Sequence, residues 1–137
     1  MAEPVFGNVT RRYARAVTVR LIGYWHEDED DRFPDPHDLV DESWDGSERS
    51  LVASYLEEGF VPWVYAGLST CRFCGASNGC AELTDGVYLW PEGLAHYVRE
   101  HAVRLPTDVV EHIVAHSAAL EALTVDHDWW RSVTNSD

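Results

Sequence analysis

Lysine is absent from this chain of 137 residues, and its ten arginines face 24 aspartates and glutamates, for a formal net charge of −14. A surface so short of positive charge is repelled by phosphate backbones and anionic lipid, which excludes non-specific nucleic-acid binding and attachment to membrane surfaces. Long apolar runs are missing as well. No stretch approaches the roughly 18 residues a bilayer span requires, and MAEPVFGNVTRRYARA has no apolar signal-peptide core. The expected location is the cytoplasm. Cysteine is sparse: there are three, all between residues 71 and 80. An odd number crowded into one segment suits a metal site in a reducing compartment better than a disulfide framework.

Apolar material is plentiful. The chain is 45% hydrophobic, with six Trp, six Tyr and four Phe, enough for one compact core and too much for a chain disordered throughout. A single domain over residues 1–137 is expected. Arg11, Arg12 and Arg15 precede a β-branched run, Ala16 to Trp25, whose alternation predicts a strand. Eleven acidic residues lie between Glu27 and Glu48, interrupted by Pro34 and Pro36, so residues 27–45 read as an acidic loop with one helical turn near His37 to Glu42. Asp45 and Glu48 have the spacing of a capping box, and Leu51, Val52, Tyr55 and Leu56 then recur at helical spacing as far as Gly59.

Phe60 to Gly67 predicts a strand, with Pro62 placing it at a sheet edge or strand start. Ala81 to Leu83 and Val87 to Trp90 flank Thr84-Asp85-Gly86, a hairpin signal. One helix is expected to begin at Pro91, and another to run from Pro106 to about Leu123. The end of the chain, residues 131–137, is polar and is expected to fray.

Cys71-Arg72-Phe73-Cys74-Gly75 carries the clearest chemical signal. Two thiolates two residues apart can hold one tetrahedral metal from a tight turn, and the following glycine lets the backbone fold beneath it. Zinc is the natural occupant. A cysteine turn, a hairpin and a helix carrying His96 and His101 have the order of a ββα or treble-clef zinc module, here spanning residues 63–105. The predicted ligands are Cys71, Cys74, His96 and His101. The 21 residues between Cys74 and His96 exceed the ~12 of a DNA-reading finger. His96 and His101 also lie about 140° apart on an ideal helix, so they converge only if the helix end is distorted. Cys80 therefore stands as the alternative ligand.

Other chemistry is less well supported. A redox Cys-x-x-Cys sits at a helix N-terminus, whereas Gly75 to Gly79 reads as loop. His112 and His116 share a helix face beside Glu111, but they flank the apolar stripe and read as boundary residues, with metal ligation the minor reading. The acidic run lacks the spacing of a calcium loop and reads as a solvated face. Glu27, Asp28, Glu29, Asp30 and Asp31, with Trp44, Trp129 and Trp130, are the expected contacts for a basic protein partner.

Residues 71–106 combine Cys-x-x-Cys-Gly, Asn-Gly, Glu-Leu-Thr-Asp-Gly-x-Tyr, Trp-Pro-Glu-Gly-Leu-x-His-Tyr-Val and His-x-Val-Arg-Leu-Pro. In these motifs the chain resembles an uncharacterised family of small bacterial proteins, and weaker similarity reaches back through Phe33-Pro34-Asp35-Pro36 and Ser43-Trp44-Asp45. The resemblance implies a coherent domain and carries no activity or catalytic residues with it.

The resulting expectation is an α+β domain: a small antiparallel sheet with a zinc-knuckle or treble-clef-like hairpin and helix, covered by two or three further helices. Zinc would be structural and the protein a non-enzymatic interaction module. Two alternatives are an anionic, immunity-like inhibitor of a basic nucleic-acid-binding protein and a zinc-dependent hydrolase with an open metal position.

Overall fold

The computed structural model describes residues 17–64 and 67–135. Ala16, the arginines at 11, 12 and 15, Tyr65 and Ala66, and residues 136 and 137 lie outside them. The architecture is α+β: a four-stranded mixed sheet with four helices. The strands are β1 (Arg20–Leu21), β2 (Phe60–Val64), β3 (Ala81–Thr84) and β4 (Tyr88–Pro91), in the spatial order β1-β4-β3-β2. The helices are α1 (Gly46–Glu57), α2 (Leu94–His101), α3 (Thr107–Glu121) and α4 (Trp129–Thr134), with a 3-10 turn at Pro36–Leu39. Among the described residues no helix is long and apolar enough to cross a membrane.

The sheet corrects the expectation of an all-antiparallel arrangement. β2, β3 and β4 are antiparallel neighbours, but β1 runs parallel to β4. Parallel pairing needs a long connection, and the whole of α1, β2 and β3 lies between the two strands. β1 is also far shorter than the run from Ala16 to Trp25. After Ile22 donates its N–H to Leu89, the chain leaves the sheet and buries Trp25 edge-on against Tyr97, with ring centroids 5.3 Å apart. Burial of one large aromatic outweighs continued pairing at the sheet edge.

β2 is an edge strand, as Pro62 requires, and its register slips between Phe60 and Trp63. α1 begins where the capping box predicts, with the Asp45 carboxylate accepting from Glu48 N–H at 2.9 Å. α2 begins at Leu94, three residues after the expected Pro91. Pro91 instead ends β4 opposite Glu82, and Glu92 N–H donates to Ala81 C=O at 2.8 Å, so the ladder uses the backbone the helix would have taken. α3 starts after Pro106, and Arg131–Thr134 lie in α4, where Ser132 N–H donates to Asp128 C=O.

The core lies between the sheet and α1, α2 and α3, built on Val52, Leu56, Trp90, Leu94, Val98, Val103 and Ile113. Trp90 is its pivot: its ring is 1% exposed and Nε1 donates to Leu56 C=O at 2.9 Å. Gly59 makes that fit possible, since a Cβ there would lie 2.7 Å from Trp90 Cζ2 and 2.9 Å from Leu83 Cβ. Gly59→Ala is expected to destabilise the fold by about 1–3 kcal/mol through overpacking, read from urea denaturation at constant m-value.

Candidate metal centre

The cysteine turn and α2 converge. One donor atom from each of Cys71, Cys74, His96 and His101 lies within 4.8 Å of all the others. Cys74 Sγ is 3.4 Å from His96 Nε2. With metal–sulfur bonds near 2.3 Å and metal–nitrogen bonds near 2.05 Å, a tetrahedral S–N edge is about 3.6 Å, so this pair stands close to ligating separation. Cys80, the alternative ligand, is not part of the group. It lies next to the start of β3, beyond the loop closed by Thr70 and Ser77.

Local backbone geometry brings the donors together. Gly75 has φ 71°, and its N–H donates to Cys71 C=O at 2.8 Å, while Phe73 N–H approaches Cys71 Sγ at 3.4 Å. The turn therefore aims an N–H at the Cys71 sulfur. On α2 the two histidines are five residues apart, yet their rings approach to 5.0 Å between centroids. Both helix ends depart from ideal winding. His96 N–H bonds Gly93 C=O, a tight 3-10 spacing, and Ala102, left-handed at φ 52°, bonds back to Tyr97 C=O over a widened turn.

His101 Nε2 is buried with no hydrogen-bond partner among the described residues, whereas the large majority of buried side-chain polar atoms have one. Burial, reinforced by neighbouring His96, pushes the His101 pKa below its usual value, so the ring is neutral and able to ligate at pH 7. Phe73 stacks on it at 4.6 Å and 13°, and His37 packs against Phe73 at 4.2 Å. Two cysteines and two histidines form a donor set that suits a borderline-soft tetrahedral cation.

Arg72 joins this turn to the acidic segment. Its backbone N–H donates to Tyr97 Oη at 3.0 Å, its guanidinium donates to His26 C=O, and it stands 3.7 Å from Glu27. Within the segment, Asp28 and Asp31 cap backbone N–H groups of residues 27–33, and these bonds hold the Asp31 pKa below the ordinary carboxylate value. Asp28 and Asp31 thus build the loop, leaving Glu29 and Asp30 as its unengaged carboxylates. Trp44 corrects the expected contact surface. It is 3% exposed, donates from Nε1 to Glu48 at 2.8 Å and lies beneath Arg104, so it belongs to the core. Trp129 and Trp130 are 60% and 66% exposed.

A second group of titratable side chains lies at the far end of the hairpin. Asp85 Oδ1 accepts from Val87 and Tyr88 N–H at 2.9 and 2.8 Å, closing the turn. Its Oδ2 receives Tyr55 Oη at 2.5 Å and His112 Nε2 at 2.8 Å, and Tyr55 Oη is 2.9 Å from His116 Nδ1. Sequence reasoning placed Asp85 in the hairpin turn and set Glu111 beside the histidines. Nothing local in the sequence places the hairpin tip against α3. Comparison with models of protein families, with curated proteins and with solved structures finds no match.

Burial opposes ionisation of Asp85, but the Tyr55 hydroxyl, two backbone N–H groups and His112 together hold its pKa at about 2, against 3.8 for a free side chain. The stabilisation is fully present above that free value and is lost as pH falls through the folded one. In metal-free buffer, Asp85→Asn is expected to cost about 2 kcal/mol at neutral pH and nothing below about pH 2. Thermal melts of both proteins across that range should converge at the acid end.

Proposed function

We propose that Cys71, Cys74, His96 and His101 bind Zn²⁺ as a closed structural site, in a zinc-knuckle unit of treble-clef-like order, and that the protein is a non-enzymatic interaction module. The observation that carries this reading is the convergence of one donor atom from each of the four residues within 4.8 Å of one another, beside a His101 Nε2 that is buried and unpartnered among the described residues. Four protein ligands leave no position for a reacting water, which favours a structural role over hydrolysis at this centre. Such sites contribute about 10 kcal/mol or more of binding free energy to small modules, all of it folding free energy if the site is absent from the unfolded chain.

The same cation would fix what the domain presents. The cysteine turn carries Arg72, which grips His26 and Glu27, so the exposed Glu29 and Asp30 sit on a loop anchored next to the metal. With a net charge of −14, this surface suits a basic protein partner, and the exposed indoles of Trp129 and Trp130 supply aromatic contacts of the kind enriched at interfaces.

Native mass spectrometry of untagged protein is expected to find one zinc in this centre, retained in Cys80→Ser and lost in Cys74→Ser and His101→Ala. The variants that have lost this zinc should melt well below the wild type. Full zinc retention in Cys74→Ser would overturn the assignment. For the surface, affinity for an arginine-rich peptide should fall with added salt and fall again in the Glu29→Gln, Asp30→Asn double variant. Binding indifferent to both would remove the acidic loop from the interface.

A further inference from the structure

We propose that Asp85, His112 and His116 form a second metal site, independent of the cysteine centre, which takes a divalent transition cation and leaves coordination positions open. One donor atom from each of the three lies within 4.8 Å of the others. His112 and His116 are one helical turn apart on α3, so their rings leave the same face, and Asp85 approaches that face from the β3–β4 turn. Two imidazoles and one carboxylate are the donor set that binds Fe²⁺, Co²⁺ and Zn²⁺ with room for other ligands.

The carboxylate is prepared for this role. Asp85 Oδ1 is committed to the Val87 and Tyr88 N–H groups, which fixes the side chain and turns Oδ2 towards the histidines. A carboxylate whose second oxygen is held by backbone donors is an oriented ligand. His112 Nε2 already stands 2.8 Å from Oδ2. Adjacent ligands on one face of an octahedral cation are about 3.0 Å apart when the bonds are near 2.1 Å, so the pair needs little movement to share an ion. In the metal-free arrangement the Tyr55 hydroxyl bridges Asp85 and His116, holding the set together with hydrogen bonds.

The open side has somewhere to face. A cleft of about 230 Å³ is walled by Tyr55, Asp85 and His116 together with Glu58, Trp90 and Leu120. It is large enough for several waters or a small anion. Three protein ligands with an accessible cleft contrast with the four-donor cysteine centre, where every tetrahedral position has a protein atom.

The experiment is a titration of the full chain, carrying its first equivalent of metal, with Co²⁺ or Zn²⁺ against a chromophoric chelator, with stoichiometry read by native mass spectrometry. A second equivalent should bind to the wild type and to Cys80→Ser. It should weaken by at least roughly tenfold in His112→Gln and in His116→Gln. Both variants should keep wild-type circular dichroism, since glutamine retains a hydrogen-bonding end. In Cys74→Ser, which has lost the first site, one equivalent should remain. Failure of the wild type to take up a second ion at micromolar metal, or a second ion that survives both histidine substitutions, would overturn the proposal.

Discussion

A polar nitrogen buried without a partner costs roughly 1–3 kcal/mol, and among the described residues His101 Nε2 has none. Phe73 stacks on one face of the ring, and one donor atom from each of Cys71, Cys74 and His96 lies within 4.8 Å of a His101 nitrogen. A cation bound by Nε2 would convert the unpaired atom into a bond. Much else depends on this convergence. It ties the cysteine turn to α2, and through Arg72 it ties the acidic segment to the same turn. That segment is further clasped where Asp41 N–H bonds Ala102 C=O and Arg104 N–H bonds Leu39 C=O, just past the end of the helix that carries His101.

The β3–β4 hairpin links the two clusters. Its strand β4 runs directly towards α2 and the cysteine centre, while its turn reaches Asp85 and the histidines of α3. Trp90 lies between, with its ring in the core and Nε1 on the last turn of α1. A rigid hairpin therefore sets both donor groups, and neither can be displaced far without opening the packing around Trp90, where close-packed side chains transmit strain.

Local signals were legible in the sequence to the extent that they were complete within a few residues. The Asp45 cap, the Thr84-Asp85-Gly86 turn, the edge strand around Pro62 and the cysteine turn with its glycine each contain their own physical cause, and each is present. Boundaries decided by tertiary competition were not legible. Pro91 is a good first residue for a helix, yet backbone pairing with β3 claims it for β4. Trp44 looks like a surface aromatic within a polar run, but the acidic segment folds over and buries it. His112 and His116 had the right spacing for a ligand pair; their third neighbour, Asp85, is 27 residues upstream of His112 and arrives only through the sheet.

The two donor groups differ in what a cation does to the charge of the molecule. Under the proposed assignments, a divalent ion at the cysteine centre would be bound by two thiolates, so the charge it brings would be matched by its own ligands. At the Asp85 group the one anionic ligand would be a carboxylate already ionised at neutral pH, so on the formal count a bound ion would make the molecule two charges less negative. The field of a strongly acidic protein therefore attracts the second ion and gives the first no net electrostatic gain. Added salt would screen the former and weaken the latter less, because the charge of the latter is matched by its own ligands.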